Sequence, residues 1–145
     1  MNPSSGVASD VELERVLEEL VMAYDTEFGR AANAVGLSGA QACALGWTES
    51  GLSMSSLARA MACEASNVSQ IVGRLEARGF VERTVGSEDR RVKLVRITPA
   101  GRRAYARVRR QFEYAREALG RLDEDERREL HRLLGKMSVA TGAPD

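Results

Sequence analysis

From Asp10 to about Val35 the apolar residues Leu13, Val16, Leu17, Leu20, Val21, Tyr24 and Phe28 recur at spacings of three and four. That period puts them on one stripe and predicts a long amphipathic helix. Ser38 followed by Gln41 reads as a capping box, with Leu37 and Ala42 as a weak hydrophobic staple, so a second helix is expected from about Gly39 to Glu49. Ser50 and Gly51 end it. Ser53 caps a short third helix with the face Met54, Leu57, Ala58 and Met61, and a fourth begins near Ala65 and is expected to bury Val68, Ile71, Val72 and Leu75. Gly79 stops the fourth, as the residue that accepts positive φ after a helix.

Phe80 to Val85 and Val92 to Thr98 are β-rich runs separated by the polar, basic stretch Gly86 to Arg91, and they predict an antiparallel hairpin. Thr98 and Pro99 then restart a helix as cap and first residue, and Ala104, Val108, Phe112, Ala115 and Leu119 give it one apolar face over about twenty residues. Asp123 and Glu126 form a further capping box, which opens a last helix with Leu130, Leu133, Leu134 and Met137 on its stripe. A short helix, a tight connection, a longer helix and a two-stranded hairpin make a helix-turn-helix with a wing. The fold class expected is mainly α (α+β), with flanking helices at both ends. The two ends contribute broad apolar stripes but no compact lobe for one chain to bury, which points to a dimer.

Charge changes this picture from a topology to a surface. Residues 72 to 110 hold twelve Lys or Arg against four Asp or Glu, a net +8, whereas residues 1 to 64 hold three against nine and residues 111 to 145 six against eight. The formal net charge of zero therefore conceals a cationic middle between acidic ends. A basic surface on a helix-and-hairpin unit is what a phosphate backbone attracts. Planar guanidinium groups suit that task, and only Lys93 and Lys136 of the 21 basic residues are lysines.

The remaining composition mostly excludes. At 145 residues, 43% hydrophobic and 29% charged, the chain suits one globular domain with a real core. No apolar run approaches the roughly 18 to 20 residues that cross a bilayer, and Met1 to Ser9 lacks the basic and apolar blocks of a secretory signal, so no membrane partner is expected and the protein is placed in the cytoplasm. Cys43 and Cys63 fit neither a disulfide scaffold nor a zinc pattern, and His131 is the only histidine. With no nucleophile elbow and no Gly-rich phosphate loop, neither an enzyme, a metal site nor a cofactor is expected.

The elements so placed carry a more specific pattern. Leu37-Ser38-x-x-Gln41, Met54-Ser55-x-Leu57-Ala58, Ser66-Asn67-Val68-Ser69, Arg74-Leu75-Glu76-x-x-Gly79-Phe80-Val81-Glu82-Arg83, Asp89-Arg90-Arg91 and Leu94-Val95-x-Ile97-Thr98-Pro99-x-Gly101 follow one another between Leu37 and Tyr105. In order and spacing they resemble the MarR family of winged helix-turn-helix transcriptional regulators. The resemblance implies a homodimer whose first helix and last two helices interleave, a sequence-specific function, usually repression, and an inverted-repeat operator in double-stranded DNA. A two-fold dimer sets its recognition helices in successive major grooves, roughly 34 Å apart. The organisation expected is an N-terminus, 1–9, without order; a dimerisation helix, 10–36; a DNA-binding lobe, 37–98; C-terminal dimerisation helices, 99–140; and a flexible tail, 141–145.

Ser66, Asn67, Ser69, Gln70 and Arg74 lie off the apolar face of the fourth helix, where short hydroxyl and amide groups admit close approach to base edges. A solvated helix face is the plain alternative. At the wing the resemblance implies that Asp89 steadies Arg91 for the minor groove, whose narrow A·T-rich form has enhanced negative potential. Arg83, Arg90 and Lys93 are expected on phosphates. By the same resemblance a small aromatic effector binds between the dimer helices and the DNA-reading lobe, and Tyr24, Phe28, Trp47 and Tyr105 are the candidate walls; ordinary core packing is their alternative. Oxidant-sensing relatives use a cysteine in the first helix, which this chain lacks, leaving Cys63 as the candidate for a redox-sensing regulator. A winged helix that binds protein and lacks DNA specificity is the other functional class.

Overall fold

A computed structural model describes residues 8–85 and 93–138. Its elements in chain order are α1 (Asp10–Asn33), α2 (Gly39–Trp47), β1 (Leu52–Ser53), α3 (Met54–Ala60), α4 (Ala65–Ala77), β2 (Val81–Val85), β3 (Lys93–Ile97), α5 (Pro99–Gln111), α6 (Tyr114–Gly120) and α7 (Glu124–Ser138). Local chemistry accounts for most of the boundaries. Ser9 and Glu12 close a capping box at α1, as do Ser38 and Gln41 at α2. Asp123 accepts from the backbone of Asp125 and Glu126 at α7, while the Glu126 carboxylate accepts from Asp123 N. Each box satisfies amide groups that a helix start leaves unpaired. At Glu12 the bonds donated by Ser9 hold the carboxyl below its ordinary pKa.

Helix α4 buries Val68, Ile71, Val72 and Leu75, the set its period predicts. It ends in a Schellman turn: Gly79 N donates to Glu76 O, Phe80 N donates to Leu75 O, and Gly79 takes φ 69°. The chain leaves directly into β2, which pairs with β3 from Val81 opposite Ile97 to Val85 opposite Lys93. Sequence reasoning expected two strands. A third, β1, pairs with β3 through Leu52 opposite Val95 and Ser53 opposite Leu94, giving the order β1-β3-β2. Two residues carry no readable alternation, and a strand that short exists only because β3 supplies its partners.

Several bonds lock the hairpin to the helices. Thr98 Oγ1 donates to Gly79 O at 2.6 Å and accepts from Gly101 N at 3.1 Å, so one side chain caps α5 and ties it to the end of α4. Ile97 N donates to the carbonyl of Thr48, the one buried polar residue among those described. Gly101 is buried where a Cβ would collide with the Phe80 carbonyl and lie 2.8 Å from Ile97 Cγ1. Glycine is therefore required there for close approach.

The long helix expected after Thr98 is broken. Helix α5 ends at Gln111, Phe112 takes ψ 87°, and α6 resumes at Tyr114. Neither proline nor glycine marks the site. Tertiary packing accounts for it: the Phe112 ring is buried edge-on against Tyr24 at 4.9 Å and Phe28 at 5.4 Å, so the chain gives up helical backbone where an aromatic anchor is gained. The second helix also stops earlier than expected, at Trp47, because Thr48 turns its hydroxyl back to the carbonyls of Ala44 and Leu45.

The core joins Leu37, Leu45, Leu57, Leu75, Val95, Ile97 and Val108 with the buried face of α4. The outer stripe of α1 stays open, with Val16, Leu20 and Val21 about half exposed or more. Helix α7 buries no residue at all. No helix among the described residues is long and apolar enough to cross a membrane.

Candidate nucleic-acid interface and aromatic cleft

Because Val68, Ile71, Val72 and Leu75 anchor one side of α4, the helix can only present its other side outward. Ser66, Asn67, Ser69, Gln70 and Arg74 are all exposed there. None of the five makes a side-chain hydrogen bond to another described residue, so their donors and acceptors are free for a ligand. Glu64 caps the helix by position only, without a side-chain bond to the first turn.

At the hairpin Lys93 is exposed at the far end of β3, opposite Val85. Arg83 is exposed too, but its Nε donates to both carboxylate oxygens of Glu76 at 3.2 Å. That bond fixes β2 against the last turn of α4 and orients the remaining guanidinium face. Asp89, Arg90 and Arg91, the expected wing-tip residues, lie outside the described residues. Arg78, not singled out from sequence, donates to the Gly36 carbonyl at 2.7 Å and covers the Phe80 ring at 4.6 Å, which ties α4 to the turn after α1.

A cleft of about 840 Å³ brings together the four aromatics expected to line one: Tyr24 and Phe28 from α1, Trp47 from α2 and Tyr105 from α5. Asp25, Gly29, Gly39, Ala40, Cys43, Gly46, Met61 and Cys63 complete it. Glycines open the space. A Cβ at Gly46 would fall 2.7 Å from Tyr105 Oη, so the phenol lies directly on the α2 backbone, and a Cβ at Gly39 would fall 3.4 Å from Gly29 Cα. Tyr24 and Phe28 stack with centroids 6.3 Å apart.

Electrostatics in the cleft favour neutral thiol and phenol. Burial pushes the Cys43 thiol up, against a hydrogen bond with Trp47, and the nearby Cys63 and Asp25 push the same way. Burial likewise raises Tyr105, opposed by the Arg109 cation. Both cysteines are free, and Cys63 Sγ donates to Met61 O at 3.2 Å. Asp25, Cys43 and Met61 were not singled out as wall residues. Asp25 and Cys43 were legible only as neighbours of Tyr24 and at a helical turn from Trp47.

Residues 35–92 match the model of the MarR family. A solved structure agrees in fold: a MarR-family regulator from Silicibacter pomeroyi superposes with a TM-score of 0.73 and 27% identity, over 84% of each chain. In that span and in its fold the chain is similar to the MarR family. Another structure of the fold, CouR from Rhodococcus jostii RHA1 bound to p-coumaroyl-CoA, superposes on this chain with a TM-score of 0.76 at 21% identity, covering 98% of this chain and 99% of that one. A Thauera aromatica protein, assigned by name to transcriptional regulation of the hcr operon, is 36% identical over 75 residues. Those residues are 52% of this chain and 41% of that relative. The matched family span covers α2 through β2 and ends before β3, whereas Tyr24, Asp25, Phe28, Gly29 and Tyr105 of the cleft lie outside it.

Proposed function

We propose that the protein is a homodimeric transcriptional regulator, a repressor, that binds an inverted-repeat operator and releases it when a small aromatic effector occupies the cleft. The carrying observation is the division of α4: four buried apolar residues hold it, and five exposed, unengaged polar residues face outward, with the basic segment 72–110 beginning on the same helix. In the major groove Asn67 and Gln70 suit adenine, Arg74 suits guanine or a phosphate, and Ser66 and Ser69 permit close approach. Arg91 enters the minor groove, while Arg83, Arg90 and Lys93 hold phosphates, with Asp89 steadying the wing. The lobe from α2 to β3 reads DNA; α1 and the helices after Thr98 form the dimer through their exposed apolar stripes. Their two-fold pairing brings two copies of α4 onto one face of the duplex.

The cleft couples to DNA because it is shared by α1, α2 and α5 and by the connection into α4. A ligand that prefers a spacing of the two recognition helices unlike that of the operator lowers DNA affinity by its differential affinity for the two states. Selection of bound genomic fragments, followed by titration of the shared palindrome against scrambled competitor, tests the central reading. A clear palindrome preference that weakens steeply with salt is expected; equal affinity for the scrambled duplex, or a flat salt response, overturns it. A cysteine switch has one favourable observation, since Cys43 and Cys63 open onto the same cleft. Peroxide-driven release that vanishes in Cys63→Ser is its test.

A further inference from the structure

Among the described residues lining the cleft, Asp25 is the only ionised group and none is cationic. Asp25 is exposed to the cleft mouth and forms no ion pair with a described residue. All of the lining except Tyr105 comes from the first 64 residues, where nine acids face three bases. Outside the lining, the Arg109 cation acts on Tyr105 in one direction and Glu49 in the other, more weakly.

A free aromatic acid entering this space sets a second negative charge beside Asp25 at the cleft mouth, and like charges repel. An ammonium group meets the reverse situation. It gains the Asp25 carboxylate and lies on the faces of Tyr24, Trp47 or Tyr105, whose rings attract cations. We propose that the cleft takes an aromatic amine, protonated at neutral pH, in preference to an aromatic carboxylate of the same shape. This rests on the reading of the cleft as the effector site. The upward push that Asp25 exerts on the Cys43 thiol supports the placement of its charge within the cleft.

Trp47 is the only tryptophan and lines the cleft, so its emission reports occupancy directly. Three probes of matched shape separate charge from fit: tyramine, 4-hydroxyphenylacetamide and 4-hydroxyphenylacetate. Tyramine is expected to bind about tenfold more tightly than the acid, with the amide between, a gap within the range of a partly desolvated cation–π and carboxylate contact. In Asp25→Asn the tyramine affinity falls about tenfold and the three probes converge. An acid that binds as well as tyramine, or a tyramine affinity that Asp25→Asn leaves alone, overturns the inference.

Gly29→Leu separates this from failure of the effector reading. Gly29 lines the cleft and a Cβ there meets nothing within 4 Å, so a leucine is chosen to take up cleft volume. A far-ultraviolet circular dichroism spectrum and a urea midpoint like those of the unsubstituted protein show that this variant folds. If Gly29→Leu abolishes binding of all three probes yet the acid wins in the unsubstituted protein, only the charge preference is wrong. If binding survives Gly29→Leu, or no probe changes Trp47 emission at millimolar concentration, the cleft is not the site and both fall.

Discussion

Helices α4 and α7 are of similar length, 13 and 15 residues, and each carries four apolar residues at helical spacing, yet α4 buries all four and α7 buries none. Leu133, Leu134 and Met137 of α7 remain 43% to 53% exposed. The periods look alike because period reports only which face is apolar. What covers that face depends on the rest of the chain. Around α4 the strands and helices α2 and α3 close over it, whereas beyond α6 no further element of the chain is described to cover α7. The stripe on α1 is in the same condition, and two such stripes on one molecule fit a second copy.

The sharpest way to break this contrast is to charge the open stripes. Leu20→Glu combined with Leu134→Glu is expected to leave the lobe folded, shift sedimentation to the monomer and weaken operator binding by about 10³-fold, because one half-site alone loses most of the specific free energy. A dimer that persists in the double variant removes the argument drawn from α7. Next in size is Arg91→Ala, expected to weaken operator affinity by about tenfold at fixed salt while leaving the dimer intact. Unchanged affinity there would assign the wing no role in DNA reading.

The junction between the two regions has a smaller effect. Thr98→Val removes both the cap on Gly101 N and the bond to Gly79 O, and is expected to cost about 1–2 kcal/mol, read as a lowered midpoint in urea. Smallest is a pH effect in the cleft. Burial raises the Cys43 thiol above its ordinary value of 9.0, so the unfolded chain ionises first. The stabilisation is full below that value and is lost as pH rises through the folded pKa. Stability of Cys43→Ala should therefore decline less than that of the unsubstituted protein above about pH 9. Identical slopes would show that Cys43 is not shielded from water.

How far each region was legible follows the range of the interactions that shape it. Ser38 with Gln41, Asp123 with Glu126 and Gly79 after α4 act over three or four residues, so their spacing announces them. The face of α4 that carries Ser66, Asn67, Ser69, Gln70 and Arg74 was legible for the same reason, once its apolar side was known. Strand β1 was not, because Leu52 and Ser53 become a strand only against Val95 and Leu94, some forty residues away. Asp25 was passed over as one more acid on an acidic helix. Arg83 read as a free cation because its partner, Glu76, sits across the turn into β2.

Alone, then, the residues of this chain determined most of its helices, their order, the basic middle and the polar outer face of α4, since caps, periods and charge are local properties of a polymer. Tertiary structure decided where α5 breaks, which aromatic and acidic groups meet in one cleft, and which apolar stripes stay open. Those outcomes depend on distant segments competing for the same volume: Phe112 leaves the helical path because Tyr24 and Phe28, about 85 to 90 positions earlier, offer it a buried aromatic site.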